Sequence, residues 1–205
     1  MFHSRRLSLI LVCMAVGGCS EVERNRGEAG REYDLDPQLV FWEHLQDLCG
    51  ASYAGRLVES VPADEALDGQ PLAMHVHECD VAQVRVGFFI GDDRFRDWVV
   101  TPTAAGLRLT HRRVHANGTE DDISRYGGET LGPGTARAQD FHADAYPAGL
   151  TVEAEALTAE AGGTVWSVEI IPDSVLVYEL RREGSDARFR VEFDLSRPLE
   201  APQPD

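Results

Sequence analysis

The segment RFRVEFDL, residues 188–195, shows the pattern that decides the fold of this chain. Its apolar side chains alternate strictly with charged ones. The apolar set is Phe189, Val191, Phe193 and Leu195, and the charged set is Arg188, Arg190, Glu192 and Asp194. Because successive side chains of a strand point to opposite faces, this segment predicts a β-strand that is buried on one face. Such strands are typical of antiparallel sheets packed on a single core.

The same reading extends along most of the chain. The predicted strands are 52–59, 72–79, 84–90, 95–101, 107–115, 121–126, 135–141, 165–171, 175–181 and 188–195, and residues 151–157 add a further strand or a helix. Short links such as GDDR, HANGTE and PDS make sequence neighbours into spatial neighbours, while the glycine-rich RYGGETLGPG reads as a turn or bulge. About ten strands in a meander must hide their edges. We therefore expect a mainly β fold, an antiparallel meander closing into a barrel or a strongly bent sheet.

One helix precedes the strands. In DPQLVFWEHLQDLC, Asp36 is suited to cap a helix and Pro37 to occupy its first position. Phe41, Leu45 and Leu48 then fall on one face. The pattern predicts a capping helix over residues 37–48.

The first nineteen residues, MFHSRRLSLILVCMAVGGC, are typical of a secretion signal, with Arg5 and Arg6 before an apolar run. Ten apolar residues span about 15 Å as a helix, half of the roughly 30 Å of a bilayer core, which argues against a permanent membrane span. VGGC resembles the bacterial lipobox. The resemblance implies a signal peptide over residues 1–18, lipidation (palmitate included) of Cys19, and, because Ser20 is not aspartate, an outer-membrane location with the body in the periplasm or at the cell surface. A plain cleaved signal is the alternative.

The remaining segments predict one domain. Residues 19–35 are charged and nearly free of apolar side chains, as expected of a flexible tether that starts at the lipidated cysteine. Residues 36–198 then form a single β domain, and residues 199–205, rich in proline, form a disordered tail. The net charge of −16 makes nucleic acid a poor partner.

Two cysteines remain in the body. Cys13 is lost with the leader and Cys19 carries lipid, so Cys49 and Cys79 meet an oxidising compartment. Pairing into a disulfide is the natural reading. Two separate buried thiols are the alternative.

Two resemblances follow from these segments. A helix, then a strand beginning CGASYAG, then a meander is similar to the lipocalin-like (calycin) barrels, although Gly50 and Tyr53 replace their Gly-x-Trp at a different spacing. LCGASYAGR, GDDRFRDWVVT, GLRLTHRRVHANGTED, RYGGET and RFRVEFDLSRP resemble a group of uncharacterised secreted proteins and lipoproteins of Gram-negative bacteria. This second resemblance covers residues 41–198. It implies a single secreted domain and a Cys49–Cys79 pair, and it implies no activity.

LTHRRVHANGTEDD, residues 109–122, predicts a hairpin around Asn117-Gly118. In that register His115 faces Glu120, Arg113 faces Asp122 and His111 faces Ser124, so the charges pair across the strands. A three-residue loop with Gly118 as a bulge would shift the register. His111 and His115 lie about 13 Å apart along a strand and cannot share a zinc ion.

A ligand site is predicted on the face that this hairpin shares with the interior. The face changes from apolar to polar near His111, and in a barrel that change lies at the mouth, where ligands enter. His111, Ser124 and Tyr126 are the candidates to orient a ligand's polar head. A rim histidine bonded to a hydroxyl, with no ligand, is the alternative.

MHVHEC, residues 74–79, is the candidate metal site. His75 and His77 are two apart and share one face of a strand, roughly 7 Å from each other, a spacing that suits zinc or copper. Two solvent-facing histidines on a strand are the alternative.

These observations predict a non-catalytic envelope lipoprotein that binds a small apolar or amphipathic ligand. The chain shows no Gly-x-Ser-x-Gly, no His-Glu-x-x-His and no phosphate-binding loop. The alternatives are a metal-dependent enzyme using His75 and His77, and a scaffold that contacts an envelope protein. No cofactor is expected otherwise.

Overall fold

The computed structural model describes residues 35–63, 67, 69–115, 117–121, 124–144 and 163–200. Over these residues the chain forms one α-helix and ten strands in a closed antiparallel barrel. Each strand pairs with its sequence neighbours, and the first pairs with the last, which closes the ring. The predicted meander that closes into a barrel behind one N-terminal helix is confirmed. The leader, Cys19, the tether up to residue 34, residues 151–157 and residues 201–205 of the predicted tail lie outside the described residues. Leu199, predicted as the start of the disordered tail, is instead the last residue of the final strand.

The elements in chain order are α1 (Pro37–Gln46), β1 (Ser52–Val61), β2 (Leu72–His77), β3 (Val84–Ile90), β4 (Arg96–Thr103), β5 (Gly106–Arg113), β6 (Gly127–Thr130), β7 (Ala138–Ala143), β8 (Thr164–Ile171), β9 (Val175–Arg182) and β10 (Arg188–Leu199). Most strands lie within a few residues of their predicted positions. Strand β10 runs four residues beyond its predicted end, because Leu199 pairs with Ser52.

The sixth predicted strand, 121–126, is wrong. The strand is instead β6, in the RYGGET segment that predicted a turn. A Cβ on Gly127 would lie 1.9 Å from the Leu109 carbonyl oxygen, and one on Gly128 would lie 2.1 Å from that of His142. The two glycines therefore let three backbones approach more closely than side chains would allow.

Helix α1 begins as predicted. An Asp36 carboxylate oxygen accepts a hydrogen bond from the Gln38 N–H at 3.0 Å, and Pro37 is the first helical residue. The helix ends at Gln46, two residues before its predicted end, and Leu48 follows in a turn. Phe41 and Leu45 are only 1% exposed. The predicted apolar face is thus the face that packs on the barrel.

The helix covers one end of the barrel. The Gln38 side-chain amide donates to the Thr130 hydroxyl at 2.9 Å, and a ring nitrogen of His44 lies 3.0 Å from the Ala136 carbonyl oxygen. We call this the helix end; it also holds the β2–β3, β4–β5, β6–β7 and β8–β9 connections. The opposite end is called the far mouth. A disulfide joins Cys49, just after α1, to Cys79, just after β2, which confirms the predicted pairing and rules out two separate thiols.

Side chains fill the middle of the barrel. The Trp98 ring of β4 stacks on the Tyr178 ring of β9 with centroids 3.9 Å apart. These two strands stand five places apart in the ring of ten, so this contact spans the barrel from wall to wall. Phe88 and Phe193 pack around Trp98 in the same layer. The inward faces predicted for β3 and β10 therefore supply much of the core.

Candidate functional site

The hairpin between β5 and β6 does not have the predicted register. The His115 N–H donates to the Thr119 carbonyl at 2.8 Å, and the Gly118 N–H donates back to the His115 carbonyl at 2.8 Å. Gly118 has φ +81, which glycine adopts without strain. Three residues therefore separate the hydrogen-bonded pair. This is the three-residue loop with a glycine bulge, one of the common hairpin connections.

The predicted charge pairs change partners in this register. His115 faces Thr119 instead of Glu120. A nitrogen of Arg113 lies 3.6 Å from an Asp121 oxygen, and one of Arg125 lies 3.0 Å from a Glu120 oxygen. Asp122 lies outside the described residues. The charged side chains of the hairpin still form ion pairs with one another, but their partners differ from those that the predicted register gives.

His111 lies inside the barrel, beside the aromatic layer. Its Nε2 is 2.7 Å from the Tyr178 hydroxyl, and its Nδ1 is 3.3 Å from the Tyr126 carbonyl oxygen. A carbonyl only accepts, so Nδ1 carries the proton and Nε2 accepts the Tyr178 O–H. The Trp166 ring lies 5.0 Å away. His111 therefore links β5 to β9 across the barrel interior.

The His111–Tyr178 pair is uncharged at neutral pH. Burial lowers the pKa of His111 to about 4, although the bond to the Tyr126 carbonyl opposes the shift. Burial also raises the pKa of Tyr178 above its usual range. Neither group exchanges a proton near pH 7, so the pair is suited to hold the walls together and not to act as an acid or base.

We expect the barrel to lose stability as the pH falls from about 6.5 to 4. The unfolded histidine takes up a proton near pH 6.5, whereas the folded one resists until about pH 4. Stability from this group is full above pH 6.5 and is lost towards pH 4, by up to about 3 kcal/mol. Urea unfolding across this range measures the loss.

The matched variants for this titration are His111→Gln and the exposed control His115→Gln. The free energy of unfolding of His111→Gln should depend less steeply on pH than that of the wild type. The free energy of unfolding of His115→Gln should keep the wild-type slope. Identical slopes in all three proteins would show that His111 is not withdrawn from water.

The other two predicted ligand residues take different positions. The Ser124 hydroxyl accepts from the Arg113 N–H at 3.0 Å and donates to the Arg113 carbonyl, so it binds the β5 main chain and not His111. The rings of Tyr126 and Trp166 pack in a T-shaped arrangement with centroids 5.5 Å apart. The structure therefore gathers His111 and Tyr126 around Trp166 and directs the Ser124 hydroxyl elsewhere.

The far mouth exposes part of the apolar interior. Five side chains here pack on the core and remain only partly buried: Leu57, Ile90, Tyr126, Leu180 and Phe189. Charged groups surround them. Arg96 pairs with Asp93 at 2.9 Å and Arg113 with Asp121 at 3.6 Å, and both arginine side chains are about 40% exposed. The far mouth therefore has an apolar floor beneath a charged rim. The sequence predicted such a change from apolar to polar side chains near His111. It did not predict that β1, β9 and β10 contribute to the same surface.

His75 and His77 share the outer face of β2, as predicted. Their rings are parallel within 6° with centroids 5.7 Å apart. Nδ1 of His75 lies 2.9 Å from the Ser52 hydroxyl, and Nε2 of His77 lies 3.6 Å from an Asp97 oxygen. Burial, together with the nearby His77, lowers the pKa of His75. Over the described part of the chain, no group of three or more histidine, cysteine or acidic side chains is placed to hold a metal ion. Among the described residues, the pair therefore has no third ligand.

Surface clefts lie at two of the described turns of the barrel. One, of about 400 Å³, lies beside the β9–β10 turn and is lined in part by Arg182, Ser185 and Arg188. The other, of about 340 Å³, lies at the β6–β7 turn beside Leu131. Both are open to solvent, and neither enters the aromatic layer.

Comparisons with protein-family models, with curated proteins and with solved structures found no significant match to this chain. None of the helical segments in the described ranges is long and apolar enough to cross a membrane.

Proposed function

We propose that this chain is a lipid-anchored envelope protein whose barrel binds a small amphipathic ligand at the far mouth, without catalysis. The observation that supports the proposal is the difference between the two ends. Helix α1 covers one end, while the other leaves Leu180 and Phe189 partly exposed beneath a rim that includes Arg113. Concave apolar surface with a few polar groups at its edge is the usual character of a small-molecule site.

The filled interior limits where such a ligand lies. The Trp98–Tyr178 stack closes the barrel at its middle, so the ligand rests on this layer and does not thread through it. The hydrogen bond from Tyr178 to His111 fixes the position of the Tyr178 ring in this layer. A rigid floor loses little conformational entropy when a ligand binds.

The rim favours an anionic head group. Arg96, the first residue of β4, and Arg113, the last residue of β5, are cross-strand neighbours. Their carboxylate partners, Asp93 and Asp121, lie on the adjoining loops and are partly exposed as well. An arginine can bind a carboxylate through two parallel hydrogen bonds, which adds specificity to the attraction. A fatty acid is therefore the suitable probe.

Fluorescence titration with a dansyl-labelled fatty acid tests the proposal. We expect saturable binding to the wild type, and an affinity at least about tenfold weaker for Phe189→Asp, because the new carboxylate would be desolvated by the apolar chain and repel its head group. Leu131→Asp, at the helix end, is the matched control and should bind as the wild type does. A fatty alcohol of equal length should bind more weakly than the acid.

Two results would contradict the proposal. One is the absence of saturable binding by the wild type. The other is equal affinity of Phe189→Asp and the wild type, which would place the probe somewhere other than the far mouth.

A further inference from the structure

The exposed apolar side chains of the barrel are unevenly distributed between its ends. Among the described residues, eight large apolar side chains are strongly exposed. Five of the eight lie at the helix end: Leu35, Leu39, Val81, Leu131 and Leu199. They come from separate elements, namely the entry to α1, α1 itself, the β2–β3 turn, the β6–β7 turn and the end of β10.

The most exposed members stand at loop tips. Val81 is 90% exposed and Leu131 is 79% exposed, so neither side chain contributes to the core. Leu35, where the chain enters the domain, is 61% exposed. At the far mouth the comparable residues, Val61 and Phe95, are only 42% and 41% exposed. Single exposed apolar residues are ordinary, but a concentration on one end of a soluble body indicates a surface that is covered in use.

We propose that the helix end is a membrane-docking surface, which rests on a bilayer of zwitterionic phospholipid and inserts Val81, Leu131 and Leu35 among the head groups. The inference rests on the proposed lipid anchor. Fifteen residues separate Cys19 from Leu35, which span at most about 55 Å. The tether joins the domain at Leu35, which lies at the helix end, so the helix end can reach the bilayer without the tether passing along the barrel wall. Apolar side chains that are too few to bind alone then act together with the acyl chains.

The negative charge of the helix end determines which lipid head groups it can approach. Asp36, Glu43, Asp47 and Asp80 are exposed on α1 and the β2–β3 turn. These carboxylates repel an anionic lipid surface, and the exposed Arg137 and Arg197 at the same end offset only part of that repulsion. The docked state is therefore expected on phosphatidylcholine or phosphatidylethanolamine and is weakened by phosphatidylglycerol. The orientation also points the far mouth away from the membrane, towards the aqueous space.

Single-cysteine labelling of the lipidated full chain tests the docking. Cys49 and Cys79 are bonded to each other. Cys19 would carry lipid, so Val81→Cys and Leu131→Cys each add one reactive thiol. Phe95→Cys at the far mouth is the control. Each variant is labelled with an environment-sensitive fluorophore and reconstituted into phosphatidylcholine vesicles with or without a quencher attached to the lipid head group.

We expect the lipid-borne quencher to lower emission at least about twofold for labels at positions 81 and 131, and to leave the label at position 95 unchanged. Phosphatidylglycerol in the vesicles should reduce the quenching. Equal quenching at all three positions, or none at 81 and 131, overturns the proposal. Shielding of positions 81 and 131 in whole envelopes but not in vesicles also overturns it and indicates a protein partner.

The intact mass of the mature protein separates this inference from the anchor on which it rests. Added acyl mass supports the anchor, and its absence refutes the anchor alone. In that case, an N-terminal histidine tag bound to nickel-chelating lipid replaces the acyl chains and the quenching measurement is repeated, and equal quenching at positions 81, 131 and 95, or none at 81 and 131, overturns the docking.

Discussion

Gly128→Ala is expected to destabilise the barrel by at least about 4 kcal/mol, a loss that few single substitutions reach. Gly128 lies in the middle of β6 and pairs with Leu109 on one side and Ala143 on the other. The added methyl group would lie 2.1 Å from the His142 carbonyl oxygen and 2.9 Å from the Ala143 nitrogen. These atoms belong to the backbone of β7, so they cannot move aside as a flexible side chain can. The β6–β7 pairing, and with it the closure of the barrel, would have to open.

Urea unfolding followed by circular dichroism measures this loss. Gly132→Ala is the matched control, because a Cβ at Gly132 meets no atom within 4 Å and the residue has no positive φ. We expect the control to unfold at the wild-type urea concentration. If Gly128→Ala also does so, the close approach of β6 to β7 is wrong.

Trp98→Ala is expected to destabilise the protein by about 4 kcal/mol. Trp98 is 5% exposed and stacks on Tyr178 at 3.9 Å and on Phe88 at 5.3 Å. Its removal deletes the largest side chain of the layer and leaves a cavity that the opposite walls cannot close, because the strands are held in a closed ring. Trp98→Phe keeps a ring in this layer and should lose less than half as much.

Added indole should partly restore the stability of Trp98→Ala. An apolar cavity of suitable size binds a small aromatic molecule, and binding to the folded state alone raises the melting temperature. Neither the wild type nor Trp98→Phe should respond to indole. A small effect of Trp98→Ala, below about 1 kcal/mol, would indicate that the barrel is already hollow around this residue.

The proposed ligand site shows what the local alternation of apolar and polar residues can predict and what it cannot. Alternation along β5 correctly predicted that His111 faces the interior, because it reports which face a residue occupies, but the prediction put His111 at the mouth, whereas it lies beside the aromatic layer. The hydrogen-bond partners of the candidate ligand-binding residues were not predicted. His111 bonds Tyr178, which is 67 residues away in sequence, and Ser124 turns to the main chain of Arg113 instead. The distance in sequence leaves no local signal for such a contact.

The predicted register of the β5–β6 hairpin was wrong for a related reason. Asn117-Gly118 suits a two-residue turn and a three-residue loop equally well, so the local sequence did not decide between the two registers. The glycines of RYGGET looked like turn residues from sequence. In the barrel they are strand residues, because the neighbouring backbones leave no room for a Cβ.

The sequence by itself determined the class of the fold, its single capping helix and the inward faces of most strands. Those properties follow from alternation, from Asp36 and Pro37, and from turn residues, all of which act over a few neighbouring positions. It also predicted the Cys49–Cys79 bond by counting the cysteines that remain in the body. Tertiary structure alone decided that the barrel is filled and that its two ends differ. Both depend on which side chains meet across the ring, and packing between strands distant in sequence sets those contacts.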